Sequence, residues 1–125
     1  MLQDKINEVI SSNKTYLNDR VNLITSTFAL LINIIHWVVL LINIQPTNQK
    51  VLLHYNVIYG ADLVAQSFFL YLIPGTALVF FLVNFIVSRK MYKKERLASY
   101  FINYFSILIQ TIFIAATLIL ININA

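Results

Sequence analysis

The chain has 125 residues, of which 59% are hydrophobic and only 11% charged, against about 25% charged in ordinary soluble domains. A core of that composition would leave too few polar side chains to cover itself in water, so a soluble globular protein is excluded in favour of one solvated by lipid. No cysteine is present, which excludes a disulfide framework, a thiolate metal site and a cysteine nucleophile. Net charge is +4, and the basic residues cluster in a short connector between apolar runs, a placement that speaks against nucleic acid as the partner.

Residues 1–23 are mostly polar. Leu2, Ile6, Val9 and Ile10 fall at i, i+4, i+7 and i+8, one face of a helix. Ser11-Ser12-Asn13 interrupts that stripe, and Leu17, Val21 and Ile24 resume it. The pattern predicts a short amphipathic helix on the inner leaflet, with a solvated tail as the alternative. No small-residue cleavage site follows the first apolar run, so the segment does not read as a cleaved signal. Asn13-Lys14-Thr15 matches a glycosylation acceptor, which would be inert on the cytoplasmic side.

Residues 24–44 (ITSTFALLINIIHWVVLLINI) hold no charge. At about 1.5 Å per residue such a run covers about 30 Å, the thickness of a bilayer's hydrocarbon core. Within it Ala29, Asn33, His36, Leu40 and Asn43 recur at alternating spacings of 4 and 3, the signature of a helix–helix seam.

The next segment, residues 45–66, has one lysine, Lys50. Val51, Leu53, Tyr55 and Val57 alternate with Leu52, His54, Asn56 and Ile58, a strand period with both faces largely apolar. The reading is an extended segment lying across the helix ends, with tyrosines in the interface. Gly60 permits a positive-φ turn, and Asp62 is placed to cap the following helix. A small polar site made of His54, Tyr55, Asn56, Tyr59, Gly60 and Asp62 is the functional reading of the same stretch. A single histidine and a single aspartate supply too few ligands for zinc and lack the oriented base and oxyanion donors of nucleophilic catalysis. No catalytic residue, metal or cofactor is therefore assigned, and the chain is not read as an enzyme.

Residues 67–87 (SFFLYLIPGTALVFFLVNFIV) form a second uncharged run. Pro74-Gly75 lies inside it, which predicts a kink in a helix that starts after Asp62; the alternative is a helix that begins at Pro74. Ala77, Phe80 and Asn84 are its seam positions. The connector that follows carries Arg89, Lys90, Lys93, Lys94 and Arg96. The third span, about residues 100–121, has a seam of Asn103, Ser106, Gln110, Phe113, Thr117, Leu120 and Asn124, spaced 3, 4, 3, 4, 3 and 4. Polar groups facing lipid are costly, so the seams should face other helices.

These features predict an all-α fold of three transmembrane helices with an N-terminal amphipathic helix. Residues 1–23 form a cytoplasmic segment and 24–125 a three-span membrane domain. Lysine and arginine are retained on the cytoplasmic side. The basic connector and the N-terminus then face in, and the 45–66 segment and the C-terminus face out. The same cations also meet anionic head groups, each contributing about 1 kcal/mol.

His54-Tyr55-Asn56, then Gly60-x-Asp62-Leu63, a span with an early proline and Asn84 near its end, and the connector Lys94-Glu95-Arg96-Leu97-Ala98-Ser99-Tyr100 with Gln110 beyond it resemble a group of small multi-pass bacterial membrane proteins of uncharacterised activity. The likeness covers roughly residues 50–124. A fainter one links the outer segment to the extracytoplasmic domain of unknown function in sporulation-delay toxin immunity proteins. This chain departs from those in lacking a proline directly before His54 and in its Gly-x-Asp spacing. The resemblance implies a multi-pass inner-membrane protein whose outer segment matters.

Three functions are compatible with this reading. The first is a non-catalytic small subunit or interaction partner of a membrane assembly, in contact with the lipid bilayer and with other subunits or copies of itself. The second is an extracytoplasmic-loop sensor or immunity-like protein. The third is an oligomeric pore lined by Asn103, Gln110 and Thr117.

Overall fold

The computed structural model describes the backbone of residues 1–125 and every side chain except those of residues 12–14, 55, 56, 61 and 62. The elements are α1 (Leu2–Asn18), α2 (Arg20–Asn43), a hairpin of β1 (Lys50–Asn56) and β2 (Gly60–Gln66), a 3₁₀ turn (Ser67–Tyr71), α3 (Leu72–Tyr92) and α4 (Arg96–Asn124). The fold is all-α apart from the one hairpin. The helical stretches Arg20–Asn43, Ser67–Tyr92 and Arg96–Asn124 have 24, 26 and 29 residues. At ~1.5 Å rise they reach roughly 36 to 44 Å, past the ~30 Å of a hydrocarbon core. All three are long and apolar enough to cross a membrane, as a multi-pass membrane protein requires.

Two boundaries differ from the sequence reading. Helix α1 passes through Ser11-Ser12-Asn13 without a break. Serine and asparagine cost only about 0.5 kcal/mol each in a helix interior, too little to stop one. The break comes at Asp19, whose backbone is extended (φ −74°, ψ 120°). Its carboxylate accepts from the Val21 and Asn22 amides at 3.0 and 3.3 Å, so it caps α2.

The second difference concerns Asp62. It does not cap a helix, because residues 60–66 form β2 and helical structure begins only at Ser67. The 3₁₀ turn then runs into α3, where Pro74 is the third residue. Proline has no N–H to give and its ring crowds the carbonyl four residues back, so the turn ahead of it tightens to 3₁₀. Downstream of Pro74 the helix continues unbroken to Tyr92.

Helix α4 packs along both α2 and α3, which meet each other much less. A connector of three residues, 93–95, folds α3 and α4 into an antiparallel pair. The core is thin and polar. Its apolar members are Tyr16, Ala29, Leu40, Leu70, Ala77 and Phe81, while Asn22, Asn33, His36, Ser88, Ser99, Asn103, Ser106, Gln110 and Thr117 are as deeply buried. Most large apolar side chains lie on the outside, the arrangement lipid favours and water does not.

The hairpin pairs Lys50 with Gln66, Val51 with Ala65 and Leu52 with Val64; after an irregularity at Leu53 it pairs His54 with Leu63, and after a second shift between His54 and Tyr55 it pairs Tyr55 with Ala61 and Asn56 with Gly60. Gly60 closes the three-residue loop at φ 75°, a conformation that favours glycine.

Candidate functional site: polar seam and outer hairpin

Three layers of hydrogen bonds run along the bundle axis. The middle layer ties all three spans together. The Asn33 amide on α2 donates to the Pro74 carbonyl on α3 and to Gln110 Oε1 on α4, both at 3.1 Å. Gln110 Nε2 in turn donates to the Ala77 carbonyl at 2.7 Å. Helix carbonyls can accept these extra bonds because each carries two lone pairs. Toward the hairpin, His36 Nε2 and Thr117 Oγ1 lie 2.7 Å apart.

At the opposite end, Asn103 Nδ2 donates to Asn22 Oδ1 at 2.8 Å and to the Tyr16 hydroxyl at 3.0 Å. Ser88 Oγ lies 3.0 Å from that hydroxyl and 2.8 Å from Ser99 Oγ. Beside this cluster, Tyr92 and Tyr100 donate to Asp19 Oδ2 at 3.0 and 2.7 Å. Burial acts to raise the Asp19 carboxyl. The hydrogen bonds from Tyr100, the Asn22 amide, Tyr92 and the Val21 amide outweigh it and hold the group below the usual carboxylate value.

The predicted seam residues divide accordingly. Asn33, His36, Asn103, Gln110 and Thr117 meet partners on other elements, and Ser106 is buried with its hydroxyl on its own helix carbonyl at Ile102. Asn43 does not join them: it is exposed and bonds the Val39 carbonyl of its own helix at 2.8 Å. On α3 the buried aromatic is Phe81, whereas Phe80 is exposed. The amide nitrogens of Asn84 and Asn22, Ser26 Oγ and His36 Nδ1 are buried without a hydrogen-bond partner among the described residues. Tyr16, Asp19, Asn22, Ser88, Tyr92, Ser99 and Tyr100 were not predicted from sequence as seam or site residues. Asn22 extends the α2 spacing upstream through Ser26, and Ser99 extends that of α4, so continuing the alternation of 3 and 4 would have found two of them.

The hairpin is fastened to the opposite end of the bundle. Ser67 N–H donates to the Gln49 carbonyl at 2.9 Å, which makes that pair a hydrogen-bonded one. Alternation along an antiparallel ladder then turns the N–H and C=O of Leu52 away from β2. Asn124 at the end of α4 takes both, accepting from Leu52 N–H at 2.7 Å and donating to its carbonyl at 2.9 Å. Ser67 Oγ anchors the preceding loop through Gln45 O at 2.7 Å and Thr47 N–H at 2.9 Å, and the Tyr71 hydroxyl donates to Ile44 O.

Of the predicted outer-site residues, His54 is an exposed member of β1 and stands opposite Leu63, one position from Asp62. Tyr59 and Gly60 close the turn. The side chains of Tyr55, Asn56 and Asp62 lie outside the described residues. The tip Val57-Ile58-Tyr59 is the most exposed apolar stretch away from the helices, at 90, 82 and 81%. Among the described residues, no three of His, Cys, Asp and Glu stand close enough to hold a metal ion.

The basic residues gather at the end away from the hairpin. Arg89 and Lys90 occupy the last turn of α3. The Arg96 guanidinium lies 5.4 Å from the Tyr92 ring centroid, and Lys93 Nζ donates to Glu8 at 3.4 Å. No family model, curated protein or solved structure matches this chain.

Proposed function

We propose that the chain is a non-catalytic multi-pass membrane protein that serves as a small subunit or interaction partner in a membrane assembly, docking through its outer hairpin. The observation that carries this reading is a division of labour. The seam side chains of Asn33, His36, Asn103, Gln110 and Thr117 meet partners inside one chain, so they are not free to join copies or subunits. The hairpin is fastened by Asn124 and Ser67 and presents an exposed apolar tip. An exposed apolar tip on a fixed support suits a protein partner. The same occupancy speaks against a pore lined by Asn103, Gln110 and Thr117.

With basic residues retained inside, the Arg89–Arg96 end faces the cytoplasm and the hairpin faces outward from the cell membrane. Single cysteines at positions 54 and 93 would then react with an impermeant maleimide from opposite sides. A second reading, an extracytoplasmic sensor or immunity-like protein, draws on the register that sets His54 beside the 62–63 segment across the hairpin.

A photo-crosslinking residue at position 58 tests the first reading in intact cells. A discrete adduct is expected there and not at Ile112, on the outward face of α4. Equal adducts at both positions, or none at 58, would overturn it.

A further inference from the structure

Five of the nine basic residues fall between Arg89 and Arg96. Their side chains do not simply radiate from the connector. Arg89, Lys90, Lys93 and Lys94 line a depression of about 350 Å³. A second depression of about 350 Å³, lined by Ser11, Thr15, Tyr92 and Lys93, adjoins it through Lys93.

The two differ in chemistry. The first is cationic and poorly neutralised: Lys93 meets Glu8 at 3.4 Å with both side chains more than half exposed, while Arg89, Lys90 and Lys94 make no ion pair among the described residues. Glu95 in the connector makes no ion pair among the described residues, and Asp19 already holds four hydrogen bonds. Like charges held this close repel unless an anion joins them.

The second depression is lined by hydroxyls whose protons are spent. Ser11 donates to Glu8 O, Thr15 to Ser11 O and Tyr92 to Asp19. What remains there are oxygen lone pairs, which accept hydrogen bonds. With Lys93 as its one cation at the shared edge, such a surface receives the hydroxyls of a polyol.

We infer that these paired depressions bind the head group of an anionic phospholipid whose phosphodiester carries a polyol, of the phosphatidylglycerol type. The phosphate sits among Arg89, Lys90, Lys93 and Lys94, and the glycerol hydroxyls donate to Ser11 and Thr15. A lipid rather than a soluble phosphate is the occupant because of position. The uncharged run of α3 ends at Val87 and the cations begin two residues later, at head-group level for a helix that crosses a bilayer. Exposed Leu2, Ile6, Val9 and Ile10 on α1 supply apolar surface beside it for the interface. The assignment rests on α3 spanning the membrane and is independent of the hairpin's partner.

The test is native mass spectrometry of the full chain in mild detergent, with phosphatidylglycerol, phosphatidic acid, phosphatidylcholine or inorganic phosphate added separately. Phosphatidylglycerol should bind more tightly than phosphatidic acid, and both more tightly than phosphatidylcholine. Lys90→Gln with Lys94→Gln should weaken phosphatidylglycerol about 30-fold, from the loss of two cations, while the arginine pair Lys90→Arg with Lys94→Arg retains it. Ser11→Ala with Thr15→Ala should lower phosphatidylglycerol to the level of phosphatidic acid and leave the latter unchanged. On the unaltered chain, added salt should weaken phosphatidylglycerol and spare phosphatidylcholine. The inference is overturned if phosphatidylcholine binds as well as phosphatidylglycerol, or if inorganic phosphate displaces the lipid. Equal binding of phosphatidic acid and phosphatidylglycerol overturns the polyol assignment.

Discussion

Removing the Asp19 carboxylate should do more damage than its place in a two-helix junction implies. In Asp19→Ala the cap of α2 is lost, a change worth about 1 kcal/mol. The hydroxyls of Tyr92 and Tyr100 also lose their acceptor, at 3.0 and 2.7 Å. Side-chain bonds between membrane helices give about 0.6 kcal/mol on average and about 1.7 at most, and here both donors end on a charge. The sum is about 2–4 kcal/mol. Asp19→Asn keeps a capping oxygen and should cost about half as much. Because the carboxyl is held below its ordinary value of 3.8, its contribution is complete above pH 3.8 and is lost as pH falls through the lower folded value. The aspartate protein should therefore lose stability across that acidic window, and the asparagine variant should lack that component. Reversible unfolding in mixed micelles, followed by Trp37 fluorescence, gives both quantities. A loss below about 0.5 kcal/mol for Asp19→Ala would refute the claim that Asp19 joins α1, α2, α3 and α4.

Gln110→Leu should cost about 1–2 kcal/mol, since it removes the bonds to Asn33 and to the Ala77 carbonyl. A double-mutant cycle with Asn33→Leu should give a non-zero coupling in the same unfolding assay, whereas strict additivity would separate the two amides. Gly60→Ala should weaken the hairpin by about 1 kcal/mol from the positive φ alone, because a methyl group there meets nothing within 4 Å. Faster amide exchange confined to residues 50–66, with the helices unchanged, is the expected result.

The three spans were legible because an uncharged run of bilayer length has few other readings. The α2 and α4 seams were legible because Asn33, His36, Asn103, Gln110 and Thr117 are polar in apolar surroundings, and their spacing gives the phase. On α3 the phase was lost. Phe80 and Phe81 both satisfy a 3-or-4 step from Ala77, and identical residues cannot be told apart by type. The hairpin was legible only as an extended segment, since its loop, Val57-Ile58-Tyr59, carries none of the usual turn pairs before Gly60. That left Asp62 free to be read as a cap, although it lies inside β2. Asp19 escaped notice for the opposite reason: its role depends on Tyr92 and Tyr100, more than 70 residues away along the chain.

The polar seams close within a single chain. The native sequence has no cysteine, so His36→Cys with Thr117→Cys can be tested in native membranes with a short bifunctional thiol reagent. The contact of 2.7 Å between those side chains calls for a cross-link inside each monomer, unaffected when differently tagged copies are co-expressed. Cross-links that join the two tags, with none inside the monomer, would contradict it.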